Sequence, residues 1–191
     1  EKPLGLGHAV WCARRMIGDE PFAVILPDDV IAAETPCLKQ MVEAHAETGG
    51  NMVATMEVTQ EQTSSYGVLD VAGSEGRVVK VRGMVEKPKP EDAPSRLAVI
   101  GRYILTPGVL QNLGQQDAGA GGEIQLTDAI ASEIRNSDNV FGYLFEGDRF
   151  DCGSKAGYLQ ATIEFALQRN DLRDDMLSSL ATINARLEAE G

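Results

Sequence analysis

Apolar positions along the chain follow two rhythms. Some form short continuous runs, as in Pro21-Phe22-Ala23-Val24-Ile25-Leu26 and in residues 51–59. Runs of this length, rich in Val and Ile, predict strands buried on both faces. Others recur every three or four residues. Val10, Ala13 and Met16 or Ile17 do so in residues 8–16. Ile124, Thr127, Ile130, Ala131 and Ile134 do so in residues 123–135. That period predicts amphipathic helices. Residues 35–47 read as another helix, with Thr35 as N-cap, Pro36 at its first position and Gly49-Gly50 as its stop.

The alternation changes in the middle of the chain. Residues 66–71 and 78–85 predict a hairpin around Gly73 to Gly76. Residues 87–94 are a Pro-rich loop, 97–105 a strand, and Thr106-Pro107 opens a short helix. Residues 119–122 read as a flexible link, and residues 140–145 as a strand. Ser154 caps a helix over 154–168. A polar amphipathic helix over 171–190 carries Leu172, Met176, Leu180, Ile183 and Leu187, a face that fits either its own domain or a subunit contact. Strands alternating with helices predict a single α/β domain, a sandwich with a mixed, mostly parallel sheet flanked by helices.

Charge narrows the partners. The 191 residues carry a formal net charge of −12, the wrong sign for a nucleic-acid surface or an anionic membrane. No apolar run approaches the ~20 residues of a membrane span. The three cysteines, Cys12, Cys37 and Cys152, form no C-x-x-C pair, which points to free thiols in a reducing cytoplasm.

Candidate chemistry gathers at strand ends, where open α/β sheets collect ligands. Asp28 follows the apolar run at 21–26. Asp151, in Phe150-Asp151-Cys152-Gly153, precedes the Ser154 helix. Two such carboxylates could hold one Mg²⁺ against phosphate, and each equally fits a helix cap or turn. Asp29 reads as a solvated turn residue. Glu86-Lys87-Pro88 ends a strand: Lys87 could neutralise a phosphate and Glu86 could accept from sugar hydroxyls, while a lone Glu-Lys pair also fits a surface ion pair. Gly5-Leu6-Gly7-His8 is a Gly-rich turn without P-loop spacing. Gly67 permits a close ligand approach at a strand start. The two histidines, His8 and His45, support no Ser-His-Asp set.

In order, Gly5-Leu6-Gly7-His8-Ala9, Leu26-Pro27-Asp28-Asp29, Tyr66-Gly67-Val68, Val85-Glu86-Lys87-Pro88, Ile100-Gly101-Arg102-Tyr103, Glu123-Ile124-Gln125-Leu126-Thr127-Asp128-Ala129-Ile130 and Phe150-Asp151-Cys152-Gly153-Ser154-Lys155 run through nearly the whole chain. Together they resemble the bacterial UTP–glucose-1-phosphate uridylyltransferases, a family of sugar nucleotidyltransferases. The resemblance implies a Rossmann-like sandwich, a homo-oligomer, and conversion of UTP and glucose 1-phosphate to UDP-glucose and pyrophosphate with Mg²⁺. It places metal ligands on Asp28 and Asp151, a sugar contact on Glu86 and a sugar-phosphate contact on Lys87. It also places a sugar contact on Gly67, a backbone sugar contact on Val99 and a base contact on Gly5. The thymidylyl relatives and a non-catalytic nucleotide-sugar-binding module are the rival readings. The family's Gly-rich triphosphate loop, of the type Gly-x-Gly-Thr-Arg, is absent from these residues. The chain is therefore expected to begin inside the family's domain and to be inactive alone.

Overall fold

The computed structural model describes residues 4–115, 122–137 and 139–190. Residues 119–121 of the expected link lie outside them. The chain forms two compact units, one from residues 1–26 and 35–146, the other from 27–34 and 147–191.

The first unit opens with α1 (Leu6–Cys12) and α2 (Arg14–Ile17), one expected helix interrupted at Ala13. Its sheet contains β1 (Phe22–Ile25), β3 (Asn51–Glu57), β4 (Gly67–Glu75), β5 (Val78–Glu86), β6 (Leu97–Leu105) and β7 (Val140–Leu144), in the order β1-β6-β3-β7-β5-β4. Strand β2 (Asp29–Ala32) belongs to the second unit. Helices α3 (Cys37–Thr48), α4 (Pro107–Gln115) and α5 (Leu126–Ser137) complete the first unit.

The expected α/β class holds, and the sheet is mixed, but antiparallel pairing dominates it. Among the strand pairs of the described residues only β3 and β7 run parallel. The cause is connectivity. Strands β4 and β5 join through a tight hairpin, and only a loop with a 3₁₀ turn at Pro90–Asp92 leads from β5 to β6. Parallel neighbours need a longer crossover. Strand β1 also departs from expectation. It pairs with β6 alone, so its residues alternate half-buried and exposed, and Ile25 is 52% exposed.

The other elements follow local chemistry. Helix α3 starts at Cys37, one residue later than the Pro36 start expected, and ends where Gly49 and Gly50 adopt φ of 64° and 70°. His45 Nε2 lies 3.0 Å from the Gly50 carbonyl, so this histidine serves the helix end. The five residues from Asn51 to Thr55 are buried. Asn51 Oδ1 accepts from the Thr106 backbone N–H at 2.8 Å, which satisfies a buried polar group and fixes the entry to α4. The core joins Val53, Leu69, Val81 and Leu105 of the sheet to Val109 and Ile130 of the helices. Burying each such side chain contributes roughly 1.5–3 kcal/mol.

In the second unit β2 pairs antiparallel with β8 (Asp148–Asp151). Helix α6 (Lys155–Gln168) follows, and Ser154 Oγ accepts from the Gly157 N–H at 3.0 Å, the expected cap. Phe150 packs edge-on to Phe165 with ring centroids 6.3 Å apart. Helix α7 (Arg173–Glu190) packs on α6 and buries none of its residues; Leu177, Ile183 and Leu187 stay exposed.

Candidate functional site

In the second unit the backbone brings Asp28 and Asp151 to one place. Asp29 and Asp151 are register partners at the ends of β2 and β8, and the Cys152 N–H donates to the Asp28 carbonyl at 2.7 Å. The Asp151 side chain bends back to accept from the Gly153 N–H at 3.0 Å. A Cβ built on Gly153 would stand 3.0 Å from Asp151 Oδ1 and 3.4 Å from Asp28 Oδ2. Both carboxylates therefore border the single space that a side chain at 153 would fill. Among the described residues the Asp28 side chain has no hydrogen-bond or ion-pair partner, and it is exposed.

Asp29 is corrected by the structure. It is 7% exposed, not a solvated turn residue, and pairs with Arg149, whose side chain is 12% exposed. Burying a carboxylate without such a partner is costly. Arg149 Nη2 also lies 3.9 Å from Asp151 Oδ2. Beyond Gly153, a depression of about 400 Å³ is lined by Cys152, Gly153, Ser154, Lys155, Tyr158 and Leu159. Lys155 opens α6 there, where a helix N-terminus favours anions.

Among the described residues no group of three or more His, Cys, Asp or Glu side chains could hold a metal ion. A pair of carboxylates fits a cation that completes its shell from elsewhere. Mg²⁺ suits that description, being held by one or two carboxylates together with substrate phosphates.

The first unit assembles a second constellation. Gly67 and Glu86 are register partners where β4 begins and β5 ends. Glu86, with its side chain 19% exposed, accepts at Oε2 from Thr127 Oγ1 at 2.7 Å. A Cβ on Gly67 would stand 3.2 Å from that same oxygen, so the glycine leaves room against the carboxylate. Lys87 has φ 44°, the one positive φ at a non-glycine among the described residues. Its N–H donates to the Tyr66 carbonyl at 3.0 Å, and the buried Pro88 that follows excludes the right-handed helical region. Backbone held in a sparse region clusters at ligand sites. The ammonium of Lys87, on a side chain 62% exposed, lies 3.9 Å from Glu86 Oε1.

Val99 lies in β6, with its side chain in the core. The pairing of β3 on β6 shifts register beside it: Val53 faces Tyr103, whereas Thr55 faces Val99. Such bulges redirect backbone groups near sites. Gly5 packs on the segment leading into α5. Its Cβ would meet Glu123 Cβ at 2.8 Å and the Ile124 carbonyl at 2.9 Å. The Ile124 N–H donates to the Leu4 carbonyl at 2.7 Å, and the Gly7 N–H to the Ile124 carbonyl at 2.9 Å. Residues 123–127 thus link Gly5 to Glu86 through one short stretch of backbone.

Sequence reasoning missed Arg149, Thr127 and Lys155 as site neighbours. Thr127 read as part of an apolar helix face. Arg149 carried no local signal. Lys155 carries one, as the basic residue that follows Gly153-Ser154 at a helix start.

Residues 1–168 match the family model described as nucleotidyl transferase, and the chain belongs to that family. It is 49% identical over 177 residues to a UTP–glucose-1-phosphate uridylyltransferase of Bacillus subtilis (strain 168), covering 93% of this chain and 60% of that protein. It is 56% identical over 151 residues to the enzyme of the same name from Komagataeibacter xylinus, covering 79% of this chain and 53% of that protein. A crystal structure of UDP-glucose pyrophosphorylase complexed with UDP-glucose superposes with a TM-score of 0.84 at 42% identity, covering 88% of this chain and 64% of that one. The chain spans just over half the length of these curated relatives.

Proposed function

We propose that the whole protein transfers a uridylyl group from UTP to glucose 1-phosphate, giving UDP-glucose and pyrophosphate. The observation that carries this reading is the convergence of Asp28 and Asp151 on the space beside Gly153, in a chain 49% identical to a uridylyltransferase. In-line displacement at phosphorus asks little covalent chemistry of a protein. It asks for positioning of two polyanions and neutralisation of their repulsion. Asp28 and Asp151 would hold Mg²⁺. That ion supplies charge neutralisation and alignment of phosphate oxygens. Lys87 holds the phosphate of the sugar, pre-set by its backbone. Glu86, oriented by Thr127, accepts from sugar hydroxyls across the space left by Gly67, and the Val99 backbone adds a sugar contact. Gly5 offers its backbone to the base. Lys155 and the start of α6 supply positive potential beside the carboxylates.

The three free thiols fit a cytoplasmic protein, and no described helix is long and apolar enough to cross a membrane. The exposed apolar positions of α7 suit association into a homo-oligomer. The test is a UTP and glucose 1-phosphate assay on full-length protein, beside Asp28→Ala and Asp151→Ala. UDP-glucose formation that falls in both variants supports the proposal. Near-normal Mg²⁺-dependent rates in both would overturn the metal assignment. Turnover with dTTP exceeding that with UTP would favour a thymidylyl enzyme, and UDP-glucose binding without turnover a non-catalytic module.

A further inference from the structure

Asp28 and Asp151 border one space because β2 and β8 meet in one register, with Asp29 opposite Asp151 and Ala32 opposite Asp148. A ribbon of four residue pairs is marginal by itself. A slip of one residue would carry the side chains of a strand to the other face. No hairpin turn closes this ribbon. Past Ala32 the chain enters the long segment of the first unit at Thr35, and it leaves that segment for β8 at Glu146. Gln40, in α3 and 7% exposed, holds both of these residues. Its Oε1 accepts from the Glu146 N–H at 2.8 Å, and its Nε2 donates to the Glu146 carbonyl at 2.9 Å. An antiparallel register partner exchanges the same two bonds with the residue opposite it. Gln40 Nε2 also donates to the Thr35 carbonyl at 2.7 Å, which spends both amide donors. A side chain thus stands in for a ladder residue where β2 and β8 part. The strands are close there: a Cβ on Gly147 would meet the Ala32 carbonyl at 2.6 Å. Arg77 pairs with the exposed Glu146 carboxylate, which leaves the Glu146 backbone to Gln40.

We propose that Gln40 is a positioning residue: by pairing Thr35 with Glu146 it sets β2 against β8 and keeps the Asp28 and Asp151 carboxylates on one space. The inference rests on the reading of those two carboxylates as metal ligands. Gln40 bonds neither of them and acts along about 10 Å of ribbon. Asp28 has a hold of its own, because Arg102 donates to the Leu26 carbonyl at 2.9 Å, two residues before it. Strand β8 starts from Glu146, so the bonds of Gln40 decide where Asp151 stands against Asp28. Octahedral Mg²⁺ sites tolerate little displacement of a ligand, so loosening this end of the ribbon weakens the shared hold on a cation.

The test is Mn²⁺ binding to full-length protein with UTP, followed by electron paramagnetic resonance against a blank of Mn²⁺ and UTP alone. Hydrogen exchange of β2 and β8 is measured beside it. Gln40→Met keeps the volume of the side chain and makes none of its hydrogen bonds. It should bind Mn²⁺ about ten-fold more weakly, as when an outer-shell partner of a metal site is lost. Residues 29–32 and 148–151 should exchange faster, while β5 keeps its protection. Gln40→Glu retains the acceptor for the Glu146 N–H, loses both donations when ionised, and should shift binding in the same direction. Asn51→Leu removes another buried amide, the one that accepts from the Thr106 N–H. It should lose thermal stability and leave Mn²⁺ binding unchanged. Folded Gln40→Met with wild-type Mn²⁺ binding overturns the proposal, and so does equal weakening in Asn51→Leu, which would make the effect one of stability. Should Gln40→Met not fold, wild-type Mn²⁺ binding by Gln40→Glu overturns it. Wild-type protein that binds no Mn²⁺ with UTP overturns the reading of Asp28 and Asp151 itself, and this inference with it.

Discussion

Replacing Gly153 by alanine separates the site from the fold. Gly153 is exposed, and its φ lies outside the left-handed region, so an alanine meets no backbone strain. Such a change stabilises by about 0.4–1 kcal/mol through the unfolded chain. The site suffers the reverse. The new methyl carbon would stand 3.0 Å from Asp151 Oδ1, a tight contact, and 3.4 Å from Asp28 Oδ2. Asp151 Oδ1 must then retreat by a few tenths of an ångström. It is tied to the Gly153 N–H at 3.0 Å, so the retreat weakens a charge-assisted hydrogen bond worth about 1.5–3 kcal/mol. Mg²⁺ requires ligands near ~2.1 Å in octahedral geometry and does not follow such a shift. Misplacement by ~1 Å costs about 100-fold in rate, so Gly153→Ala should lower kcat/KM by about 10- to 100-fold. The Mg²⁺ concentration for half-maximal rate should rise, with Tm changing little, because the weakened bond and the stiffer unfolded chain act in opposite directions. Gly73→Ala, where nothing stands within 4 Å of the added Cβ, serves as control. The assay is UDP-glucose formation in full-length protein across a Mg²⁺ series, beside thermal unfolding. A folded Gly153→Ala with the wild-type Mg²⁺ dependence refutes the shared space between Asp28 and Asp151.

Thr127→Val removes the hydroxyl that donates to Glu86 at 2.7 Å. A loss of about 1.5–3 kcal/mol should raise KM for glucose 1-phosphate by roughly 10- to 100-fold, whereas Thr127→Ser stays near wild type. Equal KM values in the Val and Ser variants would show that this bond does not set Glu86. Burial pushes the Cys37 thiol up from 9.0 to about 11, an effect that the nearby Arg102 partly offsets. Between these values the unfolded chain loses a proton that the folded chain keeps, so stability falls as pH rises from about 9 to about 11. Urea unfolding of Cys37→Ala across that range should show a shallower decline than wild type, and an identical decline would remove Cys37 as its source.

The legible parts of the fold were those that neighbouring residues decide. Ser154 caps its helix because its own hydroxyl reaches Gly157. Gly49 and Gly50 end α3 through their own backbone angles. Other parts depend on distant partners. Strand β2 begins at Asp29, directly after Pro27 and Asp28, and reads as a turn; the buried Asp29 is paired with Arg149, 120 residues away. Residues 123–125 fit a helical period, yet α5 begins at Leu126 because Ile124 spends its backbone groups on Leu4 and Gly7. Apolar runs marked most of the strands of the sheet but carried no direction, so parallel and antiparallel neighbours looked alike. Seven ordered motifs, rather than any one residue, gave the site its legibility.

Proximity of a glycine to a carboxylate does not by itself mark a ligand site in this chain. A Cβ on Gly108 would meet Glu133 Oε1 at 2.8 Å, and one on Gly83 would stand 3.6 Å from Asp70 Oδ2. Those carboxylates are satisfied inside the protein: Glu133 accepts from Asn112 Nδ2 at 2.8 Å, and Asp70 pairs with Arg82 at 2.9 Å. There the glycine serves close packing. At Gly153 one of the two carboxylates, Asp28, has no partner among the described residues, while the other takes a single backbone N–H and stands 3.9 Å from Arg149. Both carboxylates keep unspent acceptor capacity. A fold keeps such a pair at a cost unless something positive joins it. The shortage of cationic partners, together with the space that only glycine leaves, separates Asp28 and Asp151 from Glu133 and Asp70. It is also why substitution of Gly153 should cost activity more than stability.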